Sequence, residues 1–133
     1  MIGYPGFPFT PPEVPASAYV VRIDEVRPGL TRENAERWSV RLVVAEGPHA
    51  GKFAAWDSVV FSTRGRSRAR RVLRALGLPK AGTVHVEATD LLGCCAVVEV
   101  QPCEYANPLG EVTRQNEVPY DGWQPLPAGR AER

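Results

Sequence analysis

Between Ser62-Thr63 and Gly77-Leu78-Pro79 lies the only stretch of this 133-residue chain that reads as a helix; every stretch long enough to classify on either side reads as β-strand. Ala69, Val72, Leu73 and Leu76 fall at i, i+3, i+4 and i+7, one apolar stripe on an α-helix. Ser62 or Thr63 offers an N-cap, and Gly77 followed by Pro79 offers a stop. A lone helix flanked by strands must bury its stripe against a sheet, which leaves few architectures.

The strand pattern narrows them further. Ala18–Val26 alternates Val21 and Ile23 with Arg22 and Asp24 and is expected to end at Pro28-Gly29. Arg37–Glu46 sets Trp38, Val40, Leu42 and Val44 against Ser39, Arg41 and Val43. Gly47–Gly51 reads as a tight hairpin loop. Lys52–Ser62 places Phe53, Ala55, Asp57, Val59 and Phe61 on one face, with Lys52, Trp56 and Ser58 on the other. Thr83–Glu87 reads as a short strand and Asp90–Gly93 as a turn. Cys94–Gln101 is nearly all apolar, as a buried strand is. Tyr105–Gly110 reads as a loop, and Glu111–Pro119 as strand five. Three strands in a meander, a helix, then two strands predict an all-β fold with one helix, specifically a five-stranded OB-fold barrel with the helix between strands three and four. The domain is expected over residues 18–120. A proline-rich arm over residues 1–17, with Pro5, Pro8, Pro11, Pro12 and Pro15, precedes it, and residues 121–133 follow as a tail.

Charge is unevenly spread. The net charge is only +1, yet residues 58–86 hold six arginines and Lys80 with no acid, whereas residues 87–133 hold eight acids against three bases. A neutral chain with one basic block is suited to binding an anion locally. Three cysteines with no CxxC pair, and His49 and His85 far apart, predict reduced thiols and no metal site. No apolar run reaches the roughly 20 residues of a membrane helix, and the start lacks the pattern of a secretory signal, so a cytoplasmic protein without membrane contact is expected. No phosphate-cradling glycine loop and no nucleophile–base set stands out, so neither catalysis nor a cofactor is expected.

An OB barrel binds its ligand across strands two and three and the flanking loops. On the strand parities above, that face presents Arg22, Arg41, Lys52 and Trp56; with the opposite parity for strand three, an alternative that Asp57 at an inward position leaves open, Trp56 is a core residue instead. Tyr105, Asn107 and Arg114, on and after the four–five loop, are placed to close over it. An indole stacks on any base, and cations follow phosphates, which is the chemistry of single-stranded nucleic acid binding. The helix carries a second basic surface, with Arg66, Arg70 and Arg74 in an i, i+4 row beside Arg71, and Arg64 just before it.

Several short motifs occur in a shared order. They are Val44-Ala45-Glu46-Gly47-Pro48 with Gly51-Lys52-Phe53, then Leu73-Arg74-Ala75-Leu76-Gly77, then Leu91-Leu92-Gly93, then Asn116-Glu117-Val118-Pro119. Together, over about residues 15–125, the chain resembles a family of phage-encoded OB-fold single-stranded DNA-binding proteins, long catalogued as a domain of unknown function. It departs from that family at Cys94, where the family carries Lys or Arg, and in its longer, charged connection Thr31–Arg37. The resemblance implies a non-catalytic, sequence-independent single-stranded DNA-binding protein of replication or recombination, in a phage or prophage. Its partners would be single-stranded DNA, with RNA open, other replication or recombination proteins, and a second copy through an open strand edge. An OB-fold module that holds a protein partner is the alternative.

Overall fold

The computed structural model describes residues 13–79, 85–106 and 109–127. Its strands are β1 (Ser17–Leu30), β2 (Glu36–Val44), β3 (Phe53–Val60), β4 (Cys95–Ala106), β5 (Val112–Glu117) and β6 (Trp123–Gln124). One helix, α1 (Arg66–Ala75), follows β3, and a 3-10 turn, Ala88–Leu91, precedes β4. The strands form an antiparallel sheet in the order β3-β2-β1-β4-β5, with β6 also paired to β4. Among the described residues no ladder joins β3 to β5, so the sheet is not a closed barrel.

The helix follows its sequence signals. Ser62 Oγ accepts the Gly65 N–H at 2.9 Å and ties down the incoming turn. A Cβ at Gly65 would stand 2.5 Å from the Val60 carbonyl oxygen, so only glycine lets the chain turn this closely over the end of β3. At the other end Gly77 takes φ +79°, with its N–H on the Arg74 carbonyl and the Leu78 N–H on that of Leu73. This pair of bonds is the Schellman stop. Ala69, Val72 and Leu76 are buried and Leu73 is half-buried, so the apolar stripe meets the core as expected.

Several boundaries differ from the sequence reading. β1 does not end at Pro28-Gly29 but runs through them to Leu30, pairing Pro28 with Trp38 and Leu30 with Glu36. The reason is local: β4 pairs with residues 17–22 of β1, and the Ile23 backbone bonds Cys94 and Gly93, but beyond Ile23 that edge of β1 has no strand partner among the described residues, so a missing N–H there breaks no ladder. A register shift between Ile23 and Glu25 marks the change. Residues 85–87, the described part of the expected short strand, are not strand, and β4 continues five residues past Gln101. Finally, the segment read as a tail contributes a sixth strand. Trp123 is 2% exposed within the core and pairs with Val98. The arm likewise contributes Val14 to the core, while its first twelve residues lie outside the described residues.

The core is lined by Val21 and Ile23 of β1, Val40 and Leu42 of β2, Val59 of β3, Val98 and Val100 of β4, and Val72 of α1. One charged cluster is built into it. Asp57, 5% exposed, accepts the Trp123 indole N–H at 2.7 Å, the Arg68 guanidinium at 2.9 Å and the Ser58 N–H at 2.8 Å. Arg68 also donates to the carbonyls of Ser58, Pro119 and Tyr120, at 3.0, 3.3 and 3.0 Å. One side chain of α1 thereby ties β3 to the segment leading into β6.

Burial pushes the Asp57 carboxyl above its ordinary value of 3.8, while the Arg68 charge, the indole and the Ser58 amide pull it back in part. The native state therefore holds this proton more tightly than the unfolded chain does. Stability from this group is greatest below pH about 3.8 and falls as pH rises from there through the raised native value. Asp57→Asn has no such proton, so the difference in stability between wild type and variant is expected to move against the wild type over that window. Chemical denaturation at a series of pH values checks this; a difference that is flat with pH, or that moves in favour of the wild type, contradicts it.

Two elements of β3's free edge connect to the rest of the chain by side chains. Asn116 of β5 donates its amide to the carbonyls of Ala54 and Val14, at 3.1 and 3.0 Å. The Phe53 N–H is taken by the Glu13 carboxylate at 2.9 Å. With the Ser58 N–H on Asp57 and the Ser58 carbonyl on Arg68, main-chain groups that a neighbouring strand would use are instead met by Glu13, Asn116, Asp57 and Arg68. This is how an edge strand is protected from further pairing.

Candidate nucleic-acid interface

The outer face of β1–β3 is set by register. Arg41 lies between Glu25 and Trp56, Ser39 between Arg27 and Ser58, and Val43 between Arg22 and Phe53. Three of the expected residues, Arg22, Arg41 and Trp56, therefore share one face, and Arg41 and Trp56 are direct cross-strand partners. Lys52 is exposed but sits at the end of the hairpin loop, one residue before β3, with its N–H on the His49 carbonyl.

Trp56 differs from expectation in its exposure. It stands on the outward parity, yet only 5% of it is accessible. The Arg27 guanidinium lies 5.0 Å from its ring centre, and that of Arg41 lies 5.0 Å from the ring of Phe53. Each cation is held in turn by an acid of β1, Arg27 by Glu25 and Arg41 by Asp24 at 2.6 Å. The face is thus two aromatic rings under two guanidinium planes. Such stacking is worth about 0.5–1 kcal/mol where solvent reaches it and more where it does not.

Arg27 and Phe53 were not among the sequence candidates. Arg27 alternates correctly with Glu25, but the expected strand end at Pro28 hid it. Phe53 reads as inward by simple alternation. The irregular pairing between Leu42/Ala55 and Val43/Phe53 leaves Ala54 as an extra residue and turns Phe53 to the outer face.

The four–five candidates are not brought to this row by strand pairing. Tyr105 lies within β4, opposite Thr113, and not in a loop. Asn107 lies outside the described residues. Arg114 is on β5, exposed, 3.6 Å from Glu104. Arg64, Arg66, Arg70 and Arg74 are all exposed, on the side of α1 away from its buried stripe.

A cavity of about 150 Å³ opens beside Arg22, lined also by Val20, Ala45, Glu46, Cys95 and Leu126. It is smaller than the roughly 300–1,000 Å³ of sites that enclose small organic ligands. Among the described residues no three His, Cys, Asp or Glu side chains converge as metal ligands, and no helix is long and apolar enough to cross a membrane. No family model matches the chain, and no curated protein matches it.

Proposed function

We propose that the chain is a non-catalytic, sequence-independent single-stranded DNA-binding protein whose strand lies across the outer face of β1–β3. The observation that carries this reading is the layering of Arg27 on Trp56 and Arg41 on Phe53, with Arg22 and Lys52 exposed at the margin. A base and a guanidinium compete for the same aromatic surface. When a base takes the ring, the displaced arginine is left beside the phosphate that came with it. Exposed ion pairs such as Arg27–Glu25 are worth about 0–1 kcal/mol and open easily, whereas base stacking returns about 1–3 kcal/mol per base.

The OB-fold belongs to the same proposal. The strand order, the helix between β3 and β4, and the Asn116 amide reaching from β5 to β3 support a barrel whose last seam is made by side chains. With the motif order noted above, this supports membership of the phage-encoded single-stranded DNA-binding proteins, acting in replication or recombination in the cytoplasm of the host cell. RNA shares the bases and phosphates that this face would contact. Self-association through the β3 edge has less support, because that edge is filled by side chains.

Titration with labelled oligo-dT tests the reading. Binding at micromolar or tighter affinity is expected in low salt, weakening steeply as salt rises. Arg22→Gln/Lys52→Gln should reduce the slope of log affinity against log salt by about 1.4, two phosphates at about 0.7 each. Trp56→Leu keeps the cations and should weaken binding with little change in slope. A wild-type chain that does not bind oligo-dT in low salt sinks the proposal.

A further inference from the structure

Of the six arginines between residues 64 and 74, only Arg68 turns inward. Arg64, Arg66, Arg70, Arg71 and Arg74 are exposed, and among the described residues none of the five makes an ion pair or side-chain hydrogen bond. Helix surfaces commonly set acids four residues from their bases; here Arg66, Arg70 and Arg74 are like charges at that spacing and repel. The first turn of α1 holds no acid, and Arg66 stands at the end of the helix where the backbone dipole disfavours cations. The fold does not need these charges, since α1 is held by Ala69, Val72, Ala75 and the Arg68 clasp. The surface is therefore electrostatically strained in isolation and is relieved by an anionic partner.

We propose that this face of α1 is a second nucleic-acid surface, separate from the β1–β3 face, that binds phosphates alone. Three features favour a phosphate backbone over an acidic protein. All five cations are arginines, whose planar fork matches a phosphate's oxygens. Residues 66, 70 and 74 are spaced about 6 Å apart along the helix, a regular step that suits successive phosphates on one strand. On this face α1 itself presents no aromatic or large apolar side chain of the kind that anchors a protein interface, its remaining exposed members being Thr63 and Ser67, and the exposed Tyr120 lies against the inward-turned Arg68, 5.9 Å from its guanidinium. Binding here adds affinity and length to the occupied strand without adding sequence preference. The inference shares its ligand class with the function proposed above but not its residues.

The test uses the full chain and a long oligo-dT across a salt series, comparing wild type, Arg66→Gln/Arg70→Gln/Arg74→Gln and Arg22→Gln/Lys52→Gln. Glutamine keeps helix propensity, and circular dichroism confirms the fold. The helix variant is expected to have a slope shallower by about 2, three phosphates at about 0.7 each, so that over a fourfold rise in salt the wild type loses roughly 20-fold more affinity than the variant. If the slope and affinity of the helix variant equal those of the wild type while Arg22→Gln/Lys52→Gln weakens binding, this inference fails and the β-face reading stands. If only the helix variant weakens, the inference stands and the β-face is misassigned. Retention of polyglutamate by the helix arginines with no effect on oligo-dT overturns the inference in favour of an acidic protein partner, and a wild type that binds no oligo-dT overturns both.

Discussion

Arg68→Met is expected to destabilise the protein by about 3–5 kcal/mol, the range for removing one partner of a buried ion pair. The side chain is 16% exposed and its partner Asp57 only 7%. Its loss leaves a carboxylate in the core with two neutral donors, the Trp123 indole and the Ser58 amide, and strips a donor from the carbonyls of Ser58, Pro119 and Tyr120. The damage depends on pH in a definite direction. Without the nearby positive charge the Asp57 carboxyl is pushed still further up, so the native variant takes up a proton that the unfolded chain releases above pH about 3.8. The deficit should therefore be smallest in acid and grow as pH rises. Adding Asp57→Asn to Arg68→Met removes the stranded charge, keeps an acceptor for Trp123, and should restore part of the loss at neutral pH. Urea denaturation of both variants near pH 4 and pH 7 measures this. A loss below about 1 kcal/mol at neutral pH would show that the clasp contributes little.

Trp123→Ala is expected to cost a similar amount, about 3–5 kcal/mol, for a different reason. The indole fills core volume beside Val98 and is the main apolar anchor of β6. Trp123→Phe separates the two parts of its role. It retains most of the volume and removes the N–H, leaving Asp57 short of a donor, and should cost about 1–3 kcal/mol. Far-ultraviolet circular dichroism is the suitable probe, since Trp38 and Trp56 would confuse fluorescence. An alanine variant within 1 kcal/mol of wild type would mean that β6 is an ornament on the sheet.

What could be read in the sequence depended on local period and local caps. The helix was legible because its stripe, its Ser62 bond and its Gly77 stop all act within a few residues. The inward sets of β1 and β2 were legible because each strand alternates. What escaped depended on distant pairing. Pro28 looked terminal because nothing nearby shows that β4 has already left β1. The extra residue at Ala54 shifts Phe53 to the outer face without any mark in the alternation. Trp123 stands in a short, proline-flanked segment with no period at all. Arg68 and Asp57 did carry a signal. One is an arginine bordering the apolar stripe, about 40° from Val72 on a helical wheel, and the other is an acid at an inward strand position. Each alone reads as an exception; taken as a pair they are complementary. On the outer face, Arg41 and Trp56 were found by parity, whereas the Arg27 guanidinium over Trp56 was not, because it reaches across β2 from a strand that does not pair with β3.

The side-chain seam along β3 has an evolutionary consequence. Hydrogen bonds of a backbone ladder persist under most substitutions, because every residue but proline supplies the same donor and acceptor. Here the junction of β3 with β5 and the arm is written in the identities of Asn116 and Glu13, and the remainder of the edge in those of Asp57 and Arg68. Substitution at Asn116 or Glu13 can loosen this junction without removing a backbone ladder, whereas Asp57 and Arg68, tied into the core, fix the remainder of the edge while the sheet keeps its register.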